Sequence, residues 1–164
     1  MLKKLSFITG LFSLSVCFAE IKVENTYARA AQTSENSALY ADIQNTSEEK
    51  DTLKSVTFGG CSKIELHTTI YEEKDGHSIS KMREVEQGFE IPAGGTFSLS
   101  PGHDHVMLLE LKEPLKEDSF IQVSFNFEKA GVMTVSVPVK KTVLGSKEKK
   151  GCSSCCKHKL KSNS

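Results

Sequence analysis

Short segments in which apolar and polar residues alternate fill the chain between residues 21 and 139. Alternation with a period of two is typical of a half-buried β-strand, and no stretch has the periodicity of an amphipathic helix. Clusters of Gly, Pro, Asn and Asp separate the segments where turns are expected. The predicted strands are IKVENTYAR (21–29), SALYADIQN (37–45), DTLKSVTF (51–58), SKIELHTTI (62–70), TFSLS (96–100), HVMLLELK (105–112), SFIQVSFNF (119–127) and GVMTVSVPV (131–139).

Eight or nine short strands at this spacing predict an all-β fold, an immunoglobulin-like antiparallel β-sandwich made of two sheets. The segment from 20 to 139 is long enough to bury a core of its own. We therefore expect a single domain over these residues.

The first 19 residues have the composition of an export signal. Two lysines precede an apolar run over residues 5–16, and the small-x-small sequence CFA (17–19) follows. We expect cleavage after Ala19 and a periplasmic product. A lipid-anchored alternative would use Cys17, although Val16 is a poor residue before a lipidated cysteine. No other segment approaches the roughly 18 apolar residues of a membrane span.

Charge divides the remaining chain into two parts. Residues 20–139 carry 11 Lys and Arg against 20 Asp and Glu, whereas residues 140–164 carry eight lysines and one glutamate. The acidic body argues against binding to nucleic acid. The basic end has almost no apolar residues, so we expect a disordered tail over 140–164.

Cysteines are concentrated in that tail. Cys152, Cys155, Cys156 and His158 lie within seven residues, a cluster that could chelate Cu(I) or zinc or form an internal disulfide. Only Cys61 belongs to the body, so the cysteines do not form the even, dispersed set of a disulfide-stapled fold.

Histidines and methionines are concentrated in one quarter of the chain, between residues 67 and 107. On their predicted strands His67 lies on the face opposite the apolar one, and His105 and Met107 share a face. Met82 lies between Lys81 and Arg83, an unusual position for a core methionine. Imidazole and thioether donors form a soft, uncharged set that suits Cu(I). Thioethers also have no proton to lose and form no disulfide in an oxidising compartment.

Several neighbouring residues have simpler explanations. His77, beside Asp75-Gly76, is expected in a turn, and Met133 in the core. His103, in a Pro-Gly turn, is expected either to have no role at the site or to contact a ligand without binding the metal. Cys61 precedes a strand and lies far from the His-x-Met sequence, so a blue-copper centre, which needs a cysteine among its ligands, is not expected.

The run from IELH (64–67) through KMREVEQGFEIPAGGTFSLSPGHDHVMLLELK (81–112) resembles the periplasmic copper chaperone family called PCuAC. The family pattern is a His, a Met ten or more residues later, and a His-x-Met about twenty residues after that. VENTYARA, ALYADIQNTSEEKDTL and VSFNFEKAGVMTVSVPV extend the resemblance over residues 21–139.

The resemblance implies a cupredoxin-like sandwich that binds one Cu(I) through two histidines and two methionines and delivers copper toward cytochrome c oxidase assembly. The implied ligands are His67, Met82, His105 and Met107. The chain departs from the pattern in its longer His67–Met82 spacing, which we expect a longer hairpin loop to accommodate. It also departs in Thr68, where members often have a methionine.

The leading hypothesis is therefore a periplasmic copper metallochaperone, a monomeric transfer protein that is not an enzyme and whose partners are copper acceptors of oxidase assembly. One alternative is a thiol–disulfide reductase that acts through the tail cysteines, although the tail lacks a thioredoxin-like scaffold. A copper-storage or detoxification protein is the other, and it predicts a second copper ion in the tail.

Overall fold

The computed structural model describes residues 21–33, 35–74 and 77–141, and over these residues the chain forms ten β-strands. The strands are β1 (Ile21–Arg29), β2 (Ser37–Asn45), β3 (Asp51–Thr57), β4 (Cys61–Lys74), β5 (His77–Glu84), β6 (Phe89–Ile91), β7 (Thr96–Leu99), β8 (His105–Leu111), β9 (Phe120–Phe127) and β10 (Gly131–Lys140). The described part contains no helix, and hence none that could span a membrane.

The all-β sandwich predicted from the alternating pattern is confirmed. Hydrogen-bonded neighbours follow the order β5-β4-β8-β2-β1-β10-β9-β3-β6. β7 pairs with the same edge of β2 as β8 does, but with its later residues. The layer β5-β4-β8-β2-β1 and the layer β10-β9-β3-β6 enclose a shared apolar core. One pairing differs from the antiparallel expectation: β1 runs parallel to β10, where Ala28 pairs with Val139, and so joins the two layers.

Alternation explains which side chains fill the core. In β8 the even-numbered Val106 and Leu108 are fully buried, and in β9 Val123 and Phe125 point inward from the opposite layer. Burial of such side chains contributes about 1.5–3 kcal/mol each to folding. The core therefore uses one face of each central strand and leaves the other face of the first layer available for chemistry.

Two strands were not predicted, because one is exposed throughout and the other is very short. Every residue of β5 is exposed, and β6 has only three residues. β5 exists because β4 continues past its pairing with β8 and folds back on itself, with pairs from His67–Glu84 to Lys74–His77. The export signal, the Cys17 anchor and the tail cluster of Cys152, Cys155, Cys156 and His158 lie outside the described residues.

Candidate metal centre

The two histidines of the predicted site are direct cross-strand partners. His67 on β4 pairs with His105 on β8, and their ring centroids lie 5.9 Å apart at an interplanar angle of 67°. Partners in an antiparallel pair project from the same face of the sheet. The next pair, Leu66 and Val106, is buried in the core. The imidazoles therefore lie on the outer face of the first layer.

Both methionines project from this same face. Met107 pairs with Glu65, one face-step from the histidines, and Met82 on β5 pairs with Thr69, one step in the other direction. Residues two apart in a strand share a face, so strand geometry places all four side chains on one face, with Met107 and Met82 on opposite sides of His67. We call His67, Met82, His105 and Met107 the imidazole–thioether face.

Exposure increases across this face from the interior strand to the edge. His105 on β8 is 4% exposed, and Met107 beside it is half-buried. The side chain of His67 on β4 is 15% exposed, and Met82 on the edge strand β5 is 64% exposed. The face thus has a closed side at β8 and an open side at β5.

A closed loop between β7 and β8 orients His105. Residues 100–104 bulge out between the two strands, and the amide of Ser100 donates to the carbonyl of Asp104 at 2.7 Å. Gly102 has a φ of +80°, a conformation that favours glycine. The loop presents the carbonyl of His103 to His105 Nδ1 at 2.8 Å. A carbonyl can only accept, so Nδ1 carries the proton and neutral His105 keeps its lone pair on Nε2.

His67 is oriented by a different partner, which contacts the other ring nitrogen. Its Nε2 lies 2.6 Å from Oε2 of Glu65, which also forms an ion pair with Lys63. Lys63 and His67 together lower the pKa of Glu65, so this carboxylate is ionised and accepts the Nε2 proton. The lone pair of neutral His67 then lies on Nδ1, which is buried and has no hydrogen-bond partner.

Two tyrosines that sequence reasoning missed border the closed side of the face. The Tyr40 ring lies 6.3 Å from that of His105, and the Tyr27 ring lies 4.9 Å from that of Tyr40. A bulge in β1, where Asn25 has a φ of 50°, shifts the register so that Tyr27 pairs with Tyr40. Burial raises the pKa of both phenols, which therefore remain neutral.

Sequence reasoning also missed Glu65 as the partner of His67. The signal was present, because residues i and i+2 of a strand share a face and Glu65 precedes His67 by two. The spacing alone could not show that the carboxylate turns toward the ring, since Lys63 lies at the same interval on its other side.

The remaining candidates lie away from this face or contribute only backbone. His77 was expected in a turn but is instead the first residue of β5, because it pairs with Lys74 at the far end of the β4–β5 hairpin, where it is exposed. The side chain of His103 is exposed, and its carbonyl accepts the hydrogen bond from His105. Cys61 is buried, about 20 Å along β4 from His67, and burial raises the pKa of its thiol. Met133 is half-buried against the core, as expected.

With both imidazoles in the neutral form, the face offers two nitrogen lone pairs and two thioether sulfurs, all uncharged. Among the residues that the structure describes, no group of three or more His, Cys, Asp and Glu side chains is arranged to hold a metal ion. Neutral nitrogen and sulfur donors suit a soft monovalent cation and suit Mg²⁺ or Ca²⁺ badly. The buried, unpartnered Nδ1 of His67 fits such a cation, because a bond to it would satisfy that atom.

Comparison with known sequences finds one matching family and related proteins. The sequence model of the family described as "Putative lipoprotein LpqE-like" matches residues 21–139. "Putative lipoprotein Lxx21020" of Leifsonia xyli is 34% identical over 120 residues, which cover 73% of this chain and 69% of the relative. "Uncharacterized protein RP573" of Rickettsia prowazekii is 29% identical over 104 residues, 63% of this chain and 55% of the relative.

Among solved structures, the chain is similar to the copper-bound PCuAC domain from PmoF2, with a TM-score of 0.61 and 21% identity over 74% of this chain and 93% of that domain. It is also similar to the Cu(I) form of DR1885 from Deinococcus radiodurans, with a TM-score of 0.57 and 27% identity over 74% of this chain and 80% of the other. The resemblance to PCuAC domains inferred from the sequence is confirmed.

Proposed function

The chain belongs to the LpqE-like family, and from this premise and the imidazole–thioether face we propose that it is a copper metallochaperone. In this proposal His67, Met82, His105 and Met107 bind one Cu(I) as cargo. The similar PmoF2 domain and DR1885 have been solved with copper bound, which supports this cargo over zinc.

The observation that carries the proposal is the state of the two imidazoles. Each has one nitrogen committed to a hydrogen bond, with Glu65 or with the carbonyl of His103, and the other nitrogen left with a lone pair. Metal-binding histidines usually donate a hydrogen bond from the N–H of their second ring nitrogen in this way, which fixes the tautomer and the ring orientation. The pair is therefore prepared for a metal before one arrives.

Transfer would proceed by ligand exchange rather than by catalytic turnover. Met82 lies on the open side of the face, at the sheet edge, where an acceptor's thiolate or imidazole could approach. Replacing this thioether first would let copper leave while His105 still holds it from the closed side. The protein would thus bind and transfer copper without acting as an enzyme.

We propose that the chain acts outside the cytoplasm, in the periplasm, and delivers copper toward cytochrome c oxidase assembly as a monomer. The export-type sequence at residues 1–19 supports this location. The family's description as a lipoprotein favours the alternative in which a lipid is attached to Cys17. This anchor would hold the same domain at a membrane surface. Labelling of the expressed protein with a radioactive fatty acid distinguishes a free periplasmic protein from a lipid-anchored one, because only the anchored form would incorporate label.

The tail could supply a second copper site close to the first. β10 ends at Lys140, whose ammonium lies 5.4 Å from the centre of the Tyr27 ring, and Tyr27 leads through Tyr40 to His105. β10 is three strands from β8, about 14 Å. Lys141 and Cys152 are eleven residue steps apart, a separation that a fully extended chain spans with at most about 36–40 Å. The cluster of Cys152, Cys155, Cys156 and His158 is therefore within reach of the face.

Cu(I) stoichiometry and affinity, measured by competition with a chromophoric chelator, test both sites. The samples are the chain from Glu20 to Ser164, the same chain ending at Lys141, and the Met107→Ala variant of the shorter chain. We expect one tight copper in the shorter chain, at least about tenfold weaker binding in the variant, and additional copper only in the full chain.

Absence of tight binding in the shorter chain would overturn the imidazole–thioether site and move the function to the cysteines. A reductase and a copper-storage protein, both acting through the tail cysteines, are then the remaining hypotheses. The storage protein predicts that the full chain still binds copper, whereas the reductase predicts that replacing the three tail cysteines abolishes reduction of a disulfide substrate while Met107→Ala leaves it intact. Equal stoichiometry in the two chains would overturn the tail site alone.

A further inference from the structure

Resting on the proposed function, we infer that Glu65 is a positioning residue that selects Nδ1 of His67, and not Nε2, as the copper-binding atom. The two histidines of the face would then bind through different ring nitrogens, His67 through Nδ1 and His105 through Nε2. Glu65 itself would remain outside the coordination.

The contacts of the two rings support this assignment directly. The carboxylate of Glu65 lies 2.6 Å from His67 Nε2 and can only accept, so that nitrogen holds its proton while Glu65 is ionised. The carbonyl of His103 does the same to Nδ1 of His105. The hydrogen bonds occupy Nε2 of His67 and Nδ1 of His105. Nδ1 of His67 and Nε2 of His105 therefore remain available to bind copper.

Strand order gives the asymmetry a structural reason. β4 is the middle strand of β5-β4-β8, so His67 stands between Met82 on one side and His105 with Met107 on the other. Nδ1 is bonded to Cγ and lies closer to its own backbone than Nε2 does. A donor near the central strand can be reached by side chains that lean inward from both flanking strands.

Glu65 is itself held in place by an ion pair, and its carboxylate adds a negative charge near the site. The ion pair with Lys63 fixes one carboxylate oxygen and leaves the other for His67, and the Glu65 side chain is only 12% exposed. A carboxylate one hydrogen bond behind an imidazole raises the basicity of the ligating nitrogen. It also places a negative charge near a site whose own donors are neutral.

Long-range proton–nitrogen NMR of the full exported chain, labelled with nitrogen-15 at histidine, reads the tautomer without copper. His67 is assigned as the signal lost in His67→Gln. We expect the protonated nitrogen to be Nε2 in the wild type and in Glu65→Gln, whose amide oxygen still accepts. In Glu65→Ala we expect a mixture of tautomers. Glu73→Ala removes the same charge from the same face of β4, about 27 Å away, and should leave the wild-type pattern.

Addition of Cu(I), which is diamagnetic, then tests the binding atom. We expect Nδ1 of His67 and Nε2 of His105 to shift, and Cu(I) affinity to fall about 10- to 100-fold in Glu65→Ala, less in Glu65→Gln, and not in Glu73→Ala. A wild-type His67 protonated at Nδ1, or a tautomer unaffected by Glu65→Ala, would overturn the inference even if copper binds. Failure of the wild type to bind Cu(I) would overturn the proposed function, and the role of Glu65 with it.

Discussion

β8 and β5 contribute to the same face but differ in almost every physical respect. β8 is an interior strand with a buried His105 and a half-buried Met107, and its other face fills the core. β5 is an edge strand, exposed at every residue, whose Met82 is 64% exposed. β4 lies between them and carries His67, which is intermediate in exposure.

This difference corresponds to the two demands on a transfer protein. Tight binding needs donors that are fixed before the cargo arrives, because ordering them afterwards costs conformational entropy. Release needs a donor that can be replaced without opening the core. The closed side provides the first property and the open side the second. The comparison therefore predicts that equal chemical changes on β8 and β5 will have unequal effects.

The largest effect is expected on the closed side. His105→Ala should weaken Cu(I) binding by at least about 100-fold, because it removes a fixed donor, and loss of outer groups alone typically costs 10- to 100-fold. Chelator competition measures this change. His77→Ala, which removes an exposed histidine about 24 Å away along the hairpin, is the matched control and should bind as the wild type does. Equal losses in the two variants would contradict the assignment of His105 to the copper site.

A smaller effect is expected on the open side. Met82→Leu keeps the size of the side chain and removes the sulfur, so we expect about tenfold weaker Cu(I) binding, equivalent to about 1.4 kcal/mol. Because Met82 is exposed, the free energy of unfolding should stay within about 0.5 kcal/mol of the wild type. Met107→Leu should lose more affinity, since its sulfur is already confined by its neighbours. The comparison fails if Met82→Leu proves the weaker binder.

The smallest effect is expected at Cys61. Burial raises the pKa of its thiol, so the thiolate fraction near neutral pH is below that of a free cysteine and rises as pH increases. With the three tail cysteines replaced by serine, alkylation of Cys61 should be slow in the folded chain and fast in denaturant. Addition of Cu(I) should leave the folded rate unchanged. Strong protection by copper would place Cys61 at the metal site and contradict its assignment to the core.

Strand positions were readable from the sequence wherever one face of a strand is buried. β9 was predicted over residues 119–127 and spans Phe120–Phe127, and its inward-facing Val123, Phe125 and Phe127 are buried while the residues between them are more exposed. β1 and β2 also match the predicted ranges. β5 was not readable, since nothing in HSISKMRE is buried, and its existence depends on pairing with an extended β4. The longer spacing between His67 and Met82 was predicted as a longer loop. It is instead a longer ladder, which keeps Met82 in register opposite Thr69.

The sequence by itself determined the all-β class, the apolar face of each central strand and the four donor side chains of the proposed site, because these depend on residue chemistry and on a period of two. Only the tertiary structure decided which strands are neighbours, and hence that His67 meets His105. It also decided the buried state of His105, the tyrosine border and the hold of Glu65 on His67. These features depend on strand order, on a bulge in β1 and on side-chain direction, which local sequence patterns do not encode.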